Sequence, residues 1–147
     1  MAIFNGTDLI LKVSPSAGAA HTKLMHSQSV TLDVSTETID ITTKDSSGRQ
    51  EVIAGLTSFS LSSDGLMDFN PSVSVAAGTE FDELFVQGYT NRTAVEFTFT
   101  LATTATGDYT FSGSGIITAL SISAGVEDAP TYSVSIQGTG ALTKNDI

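Results

Sequence analysis

Two long runs in which apolar and polar residues alternate, residues 29–42 and 56–63, constrain this chain more than any other feature. In the first arm Val30, Leu32 and Val34 alternate with Thr31, Asp33 and Ser35, and Ile39 and Ile41 alternate with Thr38, Asp40 and Thr42. That period of two is the mark of a strand with one buried face. At roughly 3.3 Å per residue the first arm spans about 45 Å, well beyond the usual strand of about 5–6 residues. The apolar parity flips between Val34 and Ile39, which predicts a β-bulge or bend within residues 35–38 that keeps both halves on one face. In the return arm Phe59 and Leu61 face one way and Ser58, Ser60 and Ser62 the other, and Ser63, Asp64 and Gly65 read as a turn. Residues 43–55 connect the arms as a long polar loop, and loops of such length are commonly functional.

The rest of the chain continues in the same style. Residues 7–13 form a first strand after the turn signal Asn5-Gly6, and residues 14–26 read as a loop containing Pro15 and Gly18. Residues 69–78 are irregular, with Pro71 and the small residues up to Gly78. Residues 79–87 are the one convincing helix: Thr79 is placed as N-cap, Glu80, Asp82 and Glu83 complement the helix dipole in the first turn, and Gly88 stops it at C′. Its stripe of Phe81, Leu84 and Phe85 is expected to pack on the core. Residues 94–101 alternate Val95, Phe97, Phe99 and Leu101 inside with Glu96, Thr98 and Thr100 outside. Residues 109–123 form a strand with a kink at Gly113 and Gly115, where the apolar parity passes from Phe111 to Ile116, Leu120 and Ile122. Residues 131–138 place Tyr132, Val134 and Ile136 inside. The expected fold is mainly β: a single domain over residues 1–147, a β-sandwich or small barrel with one flanking helix.

Chemistry is sparse. Sixteen acidic residues against six basic ones leave a net charge of −10, which argues against binding nucleic acid by phosphate neutralisation. The absence of cysteine excludes disulfides and thiolate metal sites, and His21 and His26 read as solvated loop histidines, not ligands. No basic n-region or long apolar run marks secretion or a membrane span. Neither a phosphate-binding glycine pattern nor a nucleophile elbow is present, and the helix carboxylates are explained by the dipole, so no catalysis, cofactor or metal is expected. What stands out is where cations are missing. The outward strand residues are hydroxyls, carboxylates and Gln137, while Lys12, Lys23, Lys44, Arg49, Arg92 and Lys144 lie elsewhere.

The segment DITTKDSSGRQEVIAGLTSFSLSSDGLMD, followed by PTYSVSIQGTGALT, resembles the major tail tube proteins of long-tailed phages and of gene transfer agents. The likeness runs from NGTDLILKV to GTGALT. It implies a β-sandwich with a flanking helix, six copies of which close into a ring, and rings that stack into a tube whose inner barrel is built by long strands joined edge to edge. By this resemblance Thr31, Asp33, Asp40, Ser58 and Ser60 face the lumen. The connecting loop, with Lys44, Asp45, Ser46, Ser47, Gly48, Arg49, Gln50 and Glu51, reaches a neighbouring ring. DNA then passes a hydroxyl and carboxylate wall without specific binding. The implied partners are other copies of the chain, a tail terminator, a tape measure and tail-tip proteins; the implied setting is the virion tail, assembled in a bacterial cytoplasm. No immunoglobulin-like decoration domain is expected after Ile147. Contractile and secretion-system tubes share the architecture. The competing reading is a β-sandwich adhesin or carbohydrate-binding module, weakened by the lack of Trp and by only three Tyr.

Overall fold

The structure is a computed structural model that describes residues 5–14, 21–24, 26–67, 81–102 and 104–147. Its strands are β1 (Leu9–Ser14), β2 (Thr22–Lys23), β3 (Ser27–Asp40), β4 (Val52–Leu66), β5 (Val95–Leu101), β6 (Tyr109–Ser123) and β7 (Thr131–Asp146), with one short helix, α1 (Phe81–Phe85). All seven strands join one antiparallel sheet in the order β2-β1-β5-β6-β7-β4-β3.

That order forces the sheet to curl. Laid flat, its outer strands would stand about 29 Å apart at roughly 4.8 Å per strand. Yet β2 and β3 are successive in the chain, and the few residues between them reach at most about 14 Å. The two ends of the sheet therefore approach each other around one core. Phe59 of β4 and Phe97 of β5 meet with ring centroids 5.7 Å apart, although two strands separate them in the ladder. Leu11, Val13, Leu61, Val95, Ile117, Val134 and Ile136 complete that core. Where the ends face each other, β1, β2 and the start of β3 enclose a cavity of about 680 Å³.

The long hairpin is present, with different limits. β4 starts at Val52, so the connection is residues 41–51, and Ser63-Asp64-Gly65 is strand, not turn: Gly65 pairs with both Ser27 and Tyr132. A Cβ on Gly65 would run into the His26 carbonyl and the Tyr132 ring, so glycine here answers a close approach. The register shifts opposite residues 36–38, but Thr36 pairs with Thr57 and Thr38 with Ala54, so the extra residue lies in β4, at Gly55 and Leu56. β3 therefore keeps its parity. Ile39 and Ile53 emerge on the face opposite to Val34 and Phe59, and both stay about half exposed.

Other boundaries move for local reasons. Residues 6–8 form a 3₁₀ turn capped by Asn5, whose side chain accepts from the Thr7 amide, so β1 begins at Leu9. The expected loop of residues 14–26 contains β2, and His21 bonds to Thr98 and stands 3.4 Å from Glu96. In β6 the buried isoleucine is Ile117, not Ile116. The glycines do sit at a register shift, but a second one at Thr118 turns Leu120 and Ile122 to the core side, where Leu120 packs on the core and Ile122 stays about half exposed. Thr100 is buried instead of outward, and its hydroxyl finds no partner among the described residues. β7 runs well past Gly138, to Asp146.

Helix α1 continues as a π-helical turn over Val86–Asn91, and Arg92, at φ 53°, ends it. Gly88 is thus inside the helical segment, where a Cβ would press on Ile117, and it lets the segment approach β6. Leu84 is buried and Phe81 packs partly against Tyr132, but Phe85 is 45% exposed and stacks on Tyr89. The expected burial of Phe85 is corrected: at its own position the segment turns that ring outward. Thr79, Glu80 and residues 69–78, including Pro71 and Gly78, lie outside the described residues.

Tyr132 gives the fold an alkaline limit. Burial pushes its phenol up to about 12, against the opposing pull of hydrogen bonds with Ser63 and Ser27. The folded state holds this proton more tightly than the unfolded chain, so the contribution is complete below about pH 10 and is lost as the pH climbs toward 12, a loss of about 2–3 kcal/mol. Urea unfolding between pH 9 and 12 is expected to show this loss, and Tyr132→Phe to reduce it. An identical pH slope in the variant would contradict the assignment.

Candidate functional site

Directly paired residues on adjacent strands share a face, so the register maps the sheet surface. Four strands, β3, β4, β7 and β6, present one continuous face away from the core. Across it run Ser29, Asp64, Ser133 and Ser121, then Thr31, Ser62, Ser135 and Ala119, then Asp33, Ser60, Gln137 and Ile116. Ser35 and Ser58 form the next row. The opposite face carries Leu32, Leu61, Ile136 and Ile117 into the core. Alternation in the sequence thus becomes a two-sided sheet with one buried side.

Some polar groups on this face pair with one another and others with the backbone. Ser35 and Ser58 hydroxyls lie 2.8 Å apart, Ser29 donates to Asp64 at 3.2 Å, Thr118 donates to the Ser135 carbonyl, and the Gln137 amide donates to the Phe59 carbonyl at 3.1 Å. No Lys or Arg occurs in β3, β4 or β6, and Lys144 lies at the far end of β7. The face is therefore rich in hydroxyls, with Asp33, Glu37 and Asp64 as its charges and Ile116 exposed among them.

Of the five residues singled out from the sequence, Thr31, Asp33, Ser58 and Ser60 share this face. Asp40 does not: it pairs with Val52 beyond the bulge, on the opposite side by register. Its carboxylate accepts from Thr42, side chain and amide, which holds its pKa below the ordinary value. Asp64, Ser121 and Ser123 went unnoticed. Asp64 continues the period-two series of Ser58, Ser60 and Ser62, a signal hidden by its resemblance to a turn.

The connecting loop is built, not slack. Ser46 is buried, its hydroxyl accepting from the Thr43 amide, while the Arg49 amide bonds to the Ser46 carbonyl and the Glu51 amide to the Thr42 hydroxyl. Ser47 and Gly48 take left-handed conformations that reverse the chain. Lys44, Asp45, Arg49, Gln50 and Glu51 are exposed, so Ser46 supports the loop from inside while these five present its surface.

The four-stranded face has two open edges. Among the described residues β3 has a partner on one side alone, and β6 pairs with β5 no further than Gly115, leaving Ile116–Ser123 without a strand partner on that side. Among the described residues no three acidic or histidine side chains cluster as a metal centre would require, and no helix is long and apolar enough to cross a membrane.

Residues 3–144 match the family described as phage tail tube protein. No curated protein sequence matches the chain. Among solved structures, the tail of an empty gene transfer agent particle, refined with C6 symmetry, is similar with a TM-score of 0.79 at 20% identity, covering 97% of this chain and 99% of that one. The virion of a native gene transfer agent particle gives 0.76, with the same identity and coverage. The SPP1 tail tube gives 0.72 at 16% identity, covering 99% of this chain and 80% of that one. At these identities the likeness is one of fold.

Proposed function

Because the chain belongs to the phage tail tube protein family, and so is a structural subunit of a tail tube, we propose that its β3-β4-β7-β6 face lines the bore of rings made from copies of itself. The observation that carries this reading is the pair of open edges. Rotation about a ring axis leaves strand direction unchanged. Four antiparallel strands per copy alternate in direction, so β6 of one copy meets β3 of the next in antiparallel sense, and the alternation closes without a mismatch. Closure removes edges that would be an aggregation liability in a lone subunit.

Six copies, the symmetry of the gene transfer agent tail, supply 24 strands. At roughly 4.8 Å per strand and a tilt of up to about 40°, such a barrel is roughly 35–50 Å across, wide enough for duplex DNA. The wall offers phosphates no cations to release counterions against, so DNA slides past it. The loop of residues 41–51, with both signs of charge, bridges stacked rings in a head-to-tail contact. The chain acts in the virion tail without a reaction of its own, and the ends of the tube meet terminator, tape-measure and tail-tip proteins.

Negative-stain microscopy of the purified protein at high concentration tests the reading. Six-membered rings or tubes are expected; monomers at every salt and protein concentration would overturn it.

A further inference from the structure

An apolar groove of about 340 Å³ runs along the open edge of β6, between it and the helical segment. Phe81, Phe85, Gly88 and Tyr89 form one wall, Ile117 and Leu120 the other. Phe85 and Tyr89 stack at 5.3 Å with 45% and 71% of their surfaces exposed, so the groove presents two aromatic rings to whatever occupies it.

We propose that this groove seats Val34 of the neighbouring copy in the same ring. The inference rests on the ring reading and names the side chains that make its joint. A strand added to the open edge of β6 continues the sheet, so its core-side residues lie over the groove. The strand available for addition is β3, whose core-side row is Val30, Leu32 and Val34. The first two are partly covered within their own subunit, whereas Val34 is 61% exposed although it pairs with buried Phe59.

Charge fits the same occupant. β3 carries Asp33, Glu37 and Asp40 and no cation. In the antiparallel joint the residues after Val34 run toward the Gly115 end of β6, where the chain returns from the helical segment to β5. Arg92 stands in that return, exposed and without an ion pair to any described residue. Asp82 and Glu83 are at the opposite end of the segment. Arg92 thus faces the acidic continuation of the incoming strand.

The chain has no cysteine, so a Val34→Cys/Tyr89→Cys protein contains two thiols, both exposed in the unassembled subunit. Oxidation of assembled protein is expected to give a ladder of covalent multimers on a non-reducing gel, which neither single variant gives. Val34→Asp is expected to raise the concentration needed for assembly at least about tenfold, since it places a carboxylate against aromatic rings. The melting temperature of the unassembled subunit should stay unchanged. Rings or tubes that form with unreacted thiols and no ladder, or a Val34→Asp protein that assembles at the wild-type concentration, would overturn the groove assignment while leaving the ring reading intact. A Tyr89→Cys thiol already protected in the unassembled subunit would show that the chain's own residues fill the groove, which also overturns it. Failure of the unmodified protein to form rings would instead remove the premise.

Discussion

Particles carrying Asp33→Lys are expected to assemble normal tubes yet eject their DNA slowly or incompletely, with partial rescue at raised ionic strength. Asp33 is exposed, lies in a row with Ser60 and Gln137, and forms no ion pair with a described residue, so replacing it leaves the fold intact. Each six-membered ring then changes by about twelve charge units, and the change recurs at every ring of the tube. Ammonium groups along the bore pair with phosphates and release counterions, with a slope of about −0.9 per contact in log K against log salt. Individually weak contacts, repeated along a tube, add up to drag that salt removes. Ejection kinetics followed by dye fluorescence at low and high salt measure the effect. Wild-type rates at low salt would place Asp33 outside the DNA path. Asp45→Lys is the control. It lies in the loop with Lys44 and Arg49, so it should disturb stacking more than ejection.

Deleting Lys44 to Gln50 and closing the gap with a short glycine turn is expected to abolish tubes and leave a folded subunit. The loop's hydrogen bonds are largely its own: residues 42–51 bond to one another, and apart from the Asp40 carboxylate they hold nothing of the sheet. Its removal therefore spares the core, in which none of these residues takes part. Circular dichroism and thermal unfolding of the deletion protein should resemble the parent, while sedimentation should show rings or subunits in place of long polymers. Tubes of normal length would mean that another surface stacks the rings.

The hairpin arms were readable because one face of each is buried along the core, so alternation left an imprint in Leu32, Phe59 and Leu61. The parity flip between Val34 and Ile39 correctly signalled an irregularity near residues 35–38. Placing the extra residue in the first arm and keeping both halves on one face was wrong, because the flip does not say which strand carries it: the partner strand does, at Gly55 and Leu56, and Ile39 emerges on the face opposite to Val34. The same ambiguity misplaced Ile116: the flip that restores Leu120 to the core occurs at Thr118, a residue with no conformational signature of its own. β7 beyond Gly138 was invisible because Gly138, Gly140 and a polar run carry no apolar alternation, although backbone pairing with β6 resumes there. Phe85 was misjudged because helical spacing assigns a face but not the width of the surface that face meets. Four of the five proposed bore residues share one face, and Asp40 left the set for the same reason that Ile39 changed sides: β3 has no extra residue between Val34 and Ile39.

A helical reconstruction of self-assembled tubes by electron cryomicroscopy would show which face of the subunit lines the bore. The bore is expected to be walled by β3, β4, β7 and β6, with Asp33, Ser60 and Gln137 pointing to the axis and β6 of each copy pairing antiparallel with β3 of the next. Tubes in which that four-stranded face lies on the outer surface, or is buried between rings, would contradict this arrangement.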